Sequence, residues 1–134
     1  MNVEPEMAML CLGDINGRLT KLEPHINTDY NGDMIEKWTT NMNLHHLNQT
    51  EECIGTYTFN SNNGKSAIGH ILINDELLGS YKGMHIDEEK ELLNISDHCL
   101  VRAWFKLGNE EQTRWNRQKI KNVICVKKDE ESIK

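Results

Sequence analysis

Met7-Ala8-Met9-Leu10-Cys11-Leu12-Gly13-Asp14-Ile15-Asn16 is the stretch on which the reading of this chain turns. An apolar run of this length, halted by a glycine, has the pattern of a fully buried β-strand, although periodicity alone does not separate it from a buried helical segment. Gly13 lets the backbone turn. Beyond it Asp14 and Asn16 flank Ile15, so extended backbone would send the carboxylate and the amide to one side and Ile15 back to the core. Taken alone, Gly-Asp-x-Asn is more simply an Asx turn that closes a strand. A second polar cluster changes that balance.

The second cluster is Ser96-Asp97-His98, which leads into Cys99-Leu-Val-Arg-Ala-Trp-Phe-Lys-Leu107, again polar residues joined to a strand-like apolar run. Together the two motifs resemble the endonuclease/exonuclease/phosphatase superfamily of metal-dependent phosphodiesterases. The nearest branch is the endonuclease domain of non-LTR retrotransposon reverse-transcriptase polyproteins. In that family Gly-Asp-x-Asn opens, and Ser-Asp-His closes, the C-terminal half of the domain. Between them the family has Ser-x-Ile-Asp followed by Tyr or His and an apolar strand. Here that place is held by Ser66-Ala67-Ile68-Gly69-His70-Ile71-Leu72-Ile73, with glycine for aspartate. Gly55-Thr-Tyr-Thr-Phe59 looks like the threonine-aromatic strand of the retroelement branch, and Asn31-Gly32 followed by Leu44 to Asn48 fits it too.

The 134 residues with a net charge of −6 suffice for one domain burying about two-thirds of its unfolded surface. No apolar run approaches the roughly 20 residues a bilayer requires. The N-terminus, with Glu4, Pro5 and Glu6, lacks the pattern of a secretory signal, so an intracellular setting without membrane attachment is expected. Cys11, Cys53, Cys99 and Cys125 are scattered without a Cys-x-x-Cys pair and read as reduced, mostly buried thiols. In that setting the sequons at Asn48 and Asn94 carry no weight.

Along the chain, residues 17–29 read as a long polar loop. Asn31 or Asp33 can cap a helix running to about Met42, whose Met34, Ile35, Trp38 and Met42 share one face. Short strands follow at 44–47, 56–59, 67–73, 81–86 and 100–106, divided by turn clusters such as Ser61-Asn-Asn-Gly64. The pattern is α+β, and residues 1–107 form the domain. Residues 108–134, rich in lysine and arginine, read as a basic, partly helical tail or linker. Gly64-Lys65-Ser66 lacks the first glycine of a phosphate-binding loop, because Phe59 stands there. His45 and His46, adjacent on a strand, face opposite ways, and His25 and His85 sit alone.

The resemblance implies a specific architecture and chemistry. The fold would be the C-terminal half of a four-layer, deoxyribonuclease-like α/β sandwich, mostly antiparallel with flanking helices. The catalytic set would be Asp14, Asn16, Asp97 and His98: Asp14 orients the attacking water, Asn16 aligns it, His98 meets the phosphate oxygens, and Asp97 assists near the metal. Mg²⁺ or Mn²⁺ would be held weakly by Asp14 and Asp97, because the family's metal-binding glutamate belongs to the first half of the domain. Gly69 removes the aspartate that orients the histidine, so weak or absent hydrolysis is expected of a truncated domain. The expected partners are DNA and either a second copy or another polypeptide covering the exposed sheet face. Completion by a partner first half, or a non-catalytic nucleic-acid- or protein-binding role, are the alternatives.

Overall fold

β6, Gly69–Ile73, is the strand on which the molecule is built, and its residues His70 to Ile73 are buried on both faces. A computed structural model describes residues 7–108 of the chain. On either side of β6 lie β1, Leu10–Asp14, and β2, His45–His46, both antiparallel, in the order β1-β6-β2. A second sheet joins β3, Cys53–Ile54, β7, Tyr81–Ile86, and β8, Val101–Phe105, in that order. Its β3–β7 pairing is parallel and its β7–β8 pairing antiparallel. β4, Phe59–Ser61, and β5, Gly64–Ser66, form a separate hairpin.

Alternation along β6 sends Ile71 and Ile73 one way and Leu72 the other. Ile71 and Ile73 meet Leu47, Met84, Ile86 and Cys99 in a core between the two sheets. Leu72 meets Leu19, Ile35 and Leu44 beneath helix α1, Tyr30–Asn41. Each such side chain contributes roughly 1.5–3 kcal/mol by leaving water. The molecule is therefore mixed α+β with mostly antiparallel strands. Among the described residues no helix is long and apolar enough to cross a membrane.

Several expectations are corrected by this arrangement. The Met7–Leu12 run forms no buried strand: β1 is an edge strand, with Leu10 and Leu12 42% and 56% exposed. Register pairs Leu10 with Ile73 and Leu12 with Ile71, so both leucines lie on the face that the second sheet covers over β6. The cover stops short of β1. Cys11 is exposed as well, Cys53 partly buried and Cys99 buried, so the thiols are not uniformly interior. Cys125 and the residues from 109 onward, which include the basic tail, lie outside the described residues.

Helix α1 is capped by Asp29 and not by Asn31 or Asp33. One Asp29 carboxylate oxygen accepts from the Gly32 amide at 2.8 Å and from the Arg18 amide at 3.0 Å. A single side chain thus caps the helix and ties the polar connection to it. The approach is close enough that a Cβ on Gly32 would stand 2.1 Å from the Arg18 carbonyl oxygen. Of the expected helix face, Ile35 is buried and Met42, at the C-cap, is 53% exposed.

The strand at 44–47 shrinks to two residues followed by a 3₁₀ turn, Leu47–Gln49. That at 56–59 begins only at Phe59, because the Thr56 and Tyr57 amides both donate to one Glu88 carboxylate oxygen. His85 is not alone, as its Nδ1 lies 3.1 Å from the Arg102 guanidinium.

Candidate active site

Strand β1 carries the first polar cluster. Asp14 ends the strand directly opposite Gly69 of β6, and its Oδ1 accepts from the Asn16 amide at 3.0 Å, an Asx turn. Asn16 is in the left-handed region at φ 56°, so strand alternation no longer sets its direction. The expectation that Asp14 and Asn16 share one side of extended backbone therefore fails at Asn16. Asn31 holds this conformation, with its side-chain amide donating to the carbonyls of Ile15 and Asn16 at 3.2 and 3.3 Å. Just before β6, the Ile68 carbonyl accepts from the Ile15 and Asn16 amides, both at 3.2 Å.

The second cluster arrives from the other sheet. Ser96 Oγ accepts from the His98 amide at 3.0 Å, and His98 bridges to Phe59 in antiparallel fashion. The Asn60 amide donates to the Asp97 carbonyl at 2.8 Å, and the Cys99 amide to the Thr58 carbonyl at 2.7 Å. Asp97 itself is exposed. The His98 imidazole stands edge-on to the Phe59 ring, centroids 5.3 Å apart, which restricts its rotation. Its Nε2 lies 3.9 Å from Asp14 Oδ2, with both side chains about half exposed. An exposed pair at this separation contributes little to stability. Its significance is positional: two clusters distant in sequence meet at one rim, where they present an imidazole nitrogen and a carboxylate oxygen to solvent.

Gly69 meets the same rim. A Cβ there would lie 3.3–3.4 Å from the Cβ, Oγ1 and Cγ2 of Thr58, so Thr58 fills the space where a side chain at position 69 would begin. Thr58 is buried, and its hydroxyl accepts from the Ile68 and Gly69 amides at 3.0 and 2.7 Å. The carboxylate nearest His98 is accordingly Asp14, not a residue of β6. Thr58 and Asn31 were not singled out from sequence as parts of this site. From sequence Asn31 reads as a helix cap and Thr58 as part of a strand.

Among the described residues no group of three His, Cys, Asp or Glu side chains converges. One Asp14 oxygen is already engaged by the Asn16 amide. Mg²⁺ accepts one or two carboxylates when substrate phosphates and water complete its octahedron, so Asp14 and Asp97 are at most an outline of a site.

Sequence reasoning also missed two buried polar systems. Glu23 is fully buried and takes both Arg18 Nε and Nη2, at 3.1 and 2.6 Å, and the Ala67 amide at 3.3 Å. Burial pushes its carboxyl up, but Arg18 and the Ala67 N–H outweigh that and leave it below the usual range. His46 and His70, both buried, hydrogen-bond to each other at 2.9 Å. No signal in the sequence marks either pairing, because each depends on which strands and loops become neighbours. No protein-family model, curated protein or solved structure matches the chain.

Proposed function

We propose that this chain carries the C-terminal half of an endonuclease/exonuclease/phosphatase domain of the non-LTR retrotransposon type, and that its own hydrolytic activity is weak or absent. The α+β body would then be part of a deoxyribonuclease-like sandwich, and the ancestral reaction is hydrolysis of a nucleic-acid phosphodiester. The observation that supports this most is the 3.9 Å approach of His98 Nε2 to Asp14, with Gly69 opposite Asp14, so that all three motifs share one rim.

In this reading a phosphate oxygen takes the His98 N–H, which offsets the charge that grows on phosphorus-bound oxygens as water attacks. Asp14 Oδ2 would orient that water, and Asn16 and Asp97 would assist as the family resemblance implies. Two features weaken catalysis. Gly69 supplies no carboxylate to orient the imidazole, a kind of support worth about 10- to 100-fold in metal-site systems. The sparse donor set gives an ion little hold. These same features favour a second reading, a binding module that contacts DNA at this rim without cleaving it.

The test is nicking of supercoiled plasmid with Mg²⁺ by the wild type, Asp14→Ala and His98→Ala, beside filter retention of DNA at rising salt. Slow nicking lost in both variants supports the nuclease. Salt-sensitive retention without nicking supports the binding module. Nicking indifferent to both substitutions, or neither nicking nor retention, overturns the assignment of this rim.

A further inference from the structure

A chain of hydrogen bonds crosses the α1-facing side of the first sheet and ends on the turn that carries Asp14 and Asn16. Gln49 Nε2 lies 2.7 Å from His46 Nδ1, His46 Nε2 lies 2.9 Å from His70 Nδ1, and His70 Nε2 lies 2.7 Å from the Gly17 carbonyl oxygen. The last group can only accept, which, for rings that burial keeps neutral, fixes every proton upstream. His70 must carry its hydrogen on Nε2, leaving Nδ1 to accept. His46 must then donate from Nε2, and its Nδ1 accepts from the Gln49 amide. Both rings are neutral and satisfied, with 6% and 1% of their surface exposed.

We propose that His46 and His70 form a proton-sensitive latch on the Asp14–Gly17 turn: the neutral pair holds the Gly17 carbonyl, and proton uptake by the pair releases it. A proton on His70 Nδ1 would set two N–H groups against each other across 2.9 Å. A proton on His46 Nδ1 is accommodated only if Gln49 turns its amide oxygen inward, and the cation still sits in a buried site. Once the turn opens, the rings reach water and charge freely. Acid therefore favours the open form.

The surrounding charges do not cancel this. At His46 burial dominates, His70 and to a lesser degree Lys21 also disfavour a charge, Asn48 favours it, and the imidazole is held down to about 3. Around His70, Asp14, Asp29 and Glu23 favour the charge, as does the Gly17 contact, but burial outweighs them and the net direction is down. The turn is otherwise held by the Ile68 carbonyl, the Asn31 amide and Asp29. These bonds supply the amides to watch.

The latch acts on the turn whatever the rim binds. Amide hydrogen exchange of the full chain between pH 7.5 and 5, corrected for intrinsic rates, is expected to show Asn16 and Arg18 opening more readily than Met84. Their protection should fall about tenfold per pH unit below pH 6.5 for each proton taken up. Gln49 is exposed, so Gln49→Glu folds. Its carboxylate accepts from a charged His46 in the closed form, and the pH slope of Asn16 and Arg18 should flatten. An unchanged slope in that variant overturns the latch. So does exchange of Asn16 and Arg18 that tracks Met84 at every pH, which would make the pair a brace of the whole core. Imidazole ¹⁵N shifts reporting an Nδ1–H tautomer of either ring at pH 7.5 overturn it independently.

Discussion

Thr58 ties the segment entering β6 to the one that carries His98. Its hydroxyl serves two amides of the segment entering β6, while its carbonyl takes the Cys99 amide that follows His98. Valine has nearly the same shape but no acceptor, so Thr58→Val leaves two N–H groups without a partner, each costing about 1–3 kcal/mol. We expect the urea midpoint to fall by an amount equivalent to about 2–4 kcal/mol, with Thr58→Ser losing much less because the hydroxyl remains. A valine variant as stable as the wild type would show that these bonds hold nothing. The same residue governs what can stand at position 69. Gly69→Asp presses its Cβ on Thr58, and removal of the Thr58 methyl in a Thr58→Ser/Gly69→Asp double variant should recover part of that loss.

At the scale of the element, β1 exposes Leu10 and Leu12 along an edge strand that Met9, also exposed, precedes, an arrangement that invites pairing with another strand. Self-association through this edge should make light scattering depend on concentration, and Leu12→Lys should abolish the dependence. Because Leu12 is more than half exposed, the change should shift stability by less than about 1 kcal/mol. Association that persists unchanged in this variant would exonerate the edge. β1 also shows what could be read in advance. The strand itself is legible from its apolar run, as are β7, which spans the expected 81–86, and α1, whose cap lies two residues before Asn31 and four before Asp33. Whether a strand is central or an edge depends on the order of strands in the sheet, which the run does not encode. Glu88 trimmed the strand before Phe59 by taking two amides from a distant loop, and no local propensity announces that. For the rim, family resemblance nominated Asp14 and His98. The residues that hold them, Asn31 and Thr58, emerge only once the sheets are assembled.

For the whole molecule, the buried ionisable groups prescribe a one-sided response to acid. His46 is held down to about 3 from an ordinary 6.5, so the unfolded chain binds a proton there that the fold refuses. That contribution is complete above pH 6.5 and drains as pH falls toward 3, amounting to about 2 kcal/mol by pH 5. Glu23 has the same sign in a lower window: its carboxyl, net below the usual range, stabilises the fold above about pH 4.5 and ceases to do so as it protonates. For a domain of this size, stable by only about 5–15 kcal/mol, the two together weaken the fold progressively as pH falls below 6.5. The Arg18–Glu23 pair offers a clean check, because Arg18→Met strands a buried carboxylate and should cost about 3–5 kcal/mol at pH 7. Without the guanidinium the Glu23 carboxyl protonates more readily, and a neutral acid tolerates the site better. The stability gap between wild type and Arg18→Met, measured by urea unfolding at pH 7, 6, 5 and 4, should therefore narrow steadily toward acid. A gap that stays constant across that range would mean that Glu23 is neutral in the fold throughout and that Arg18 contributes packing rather than charge.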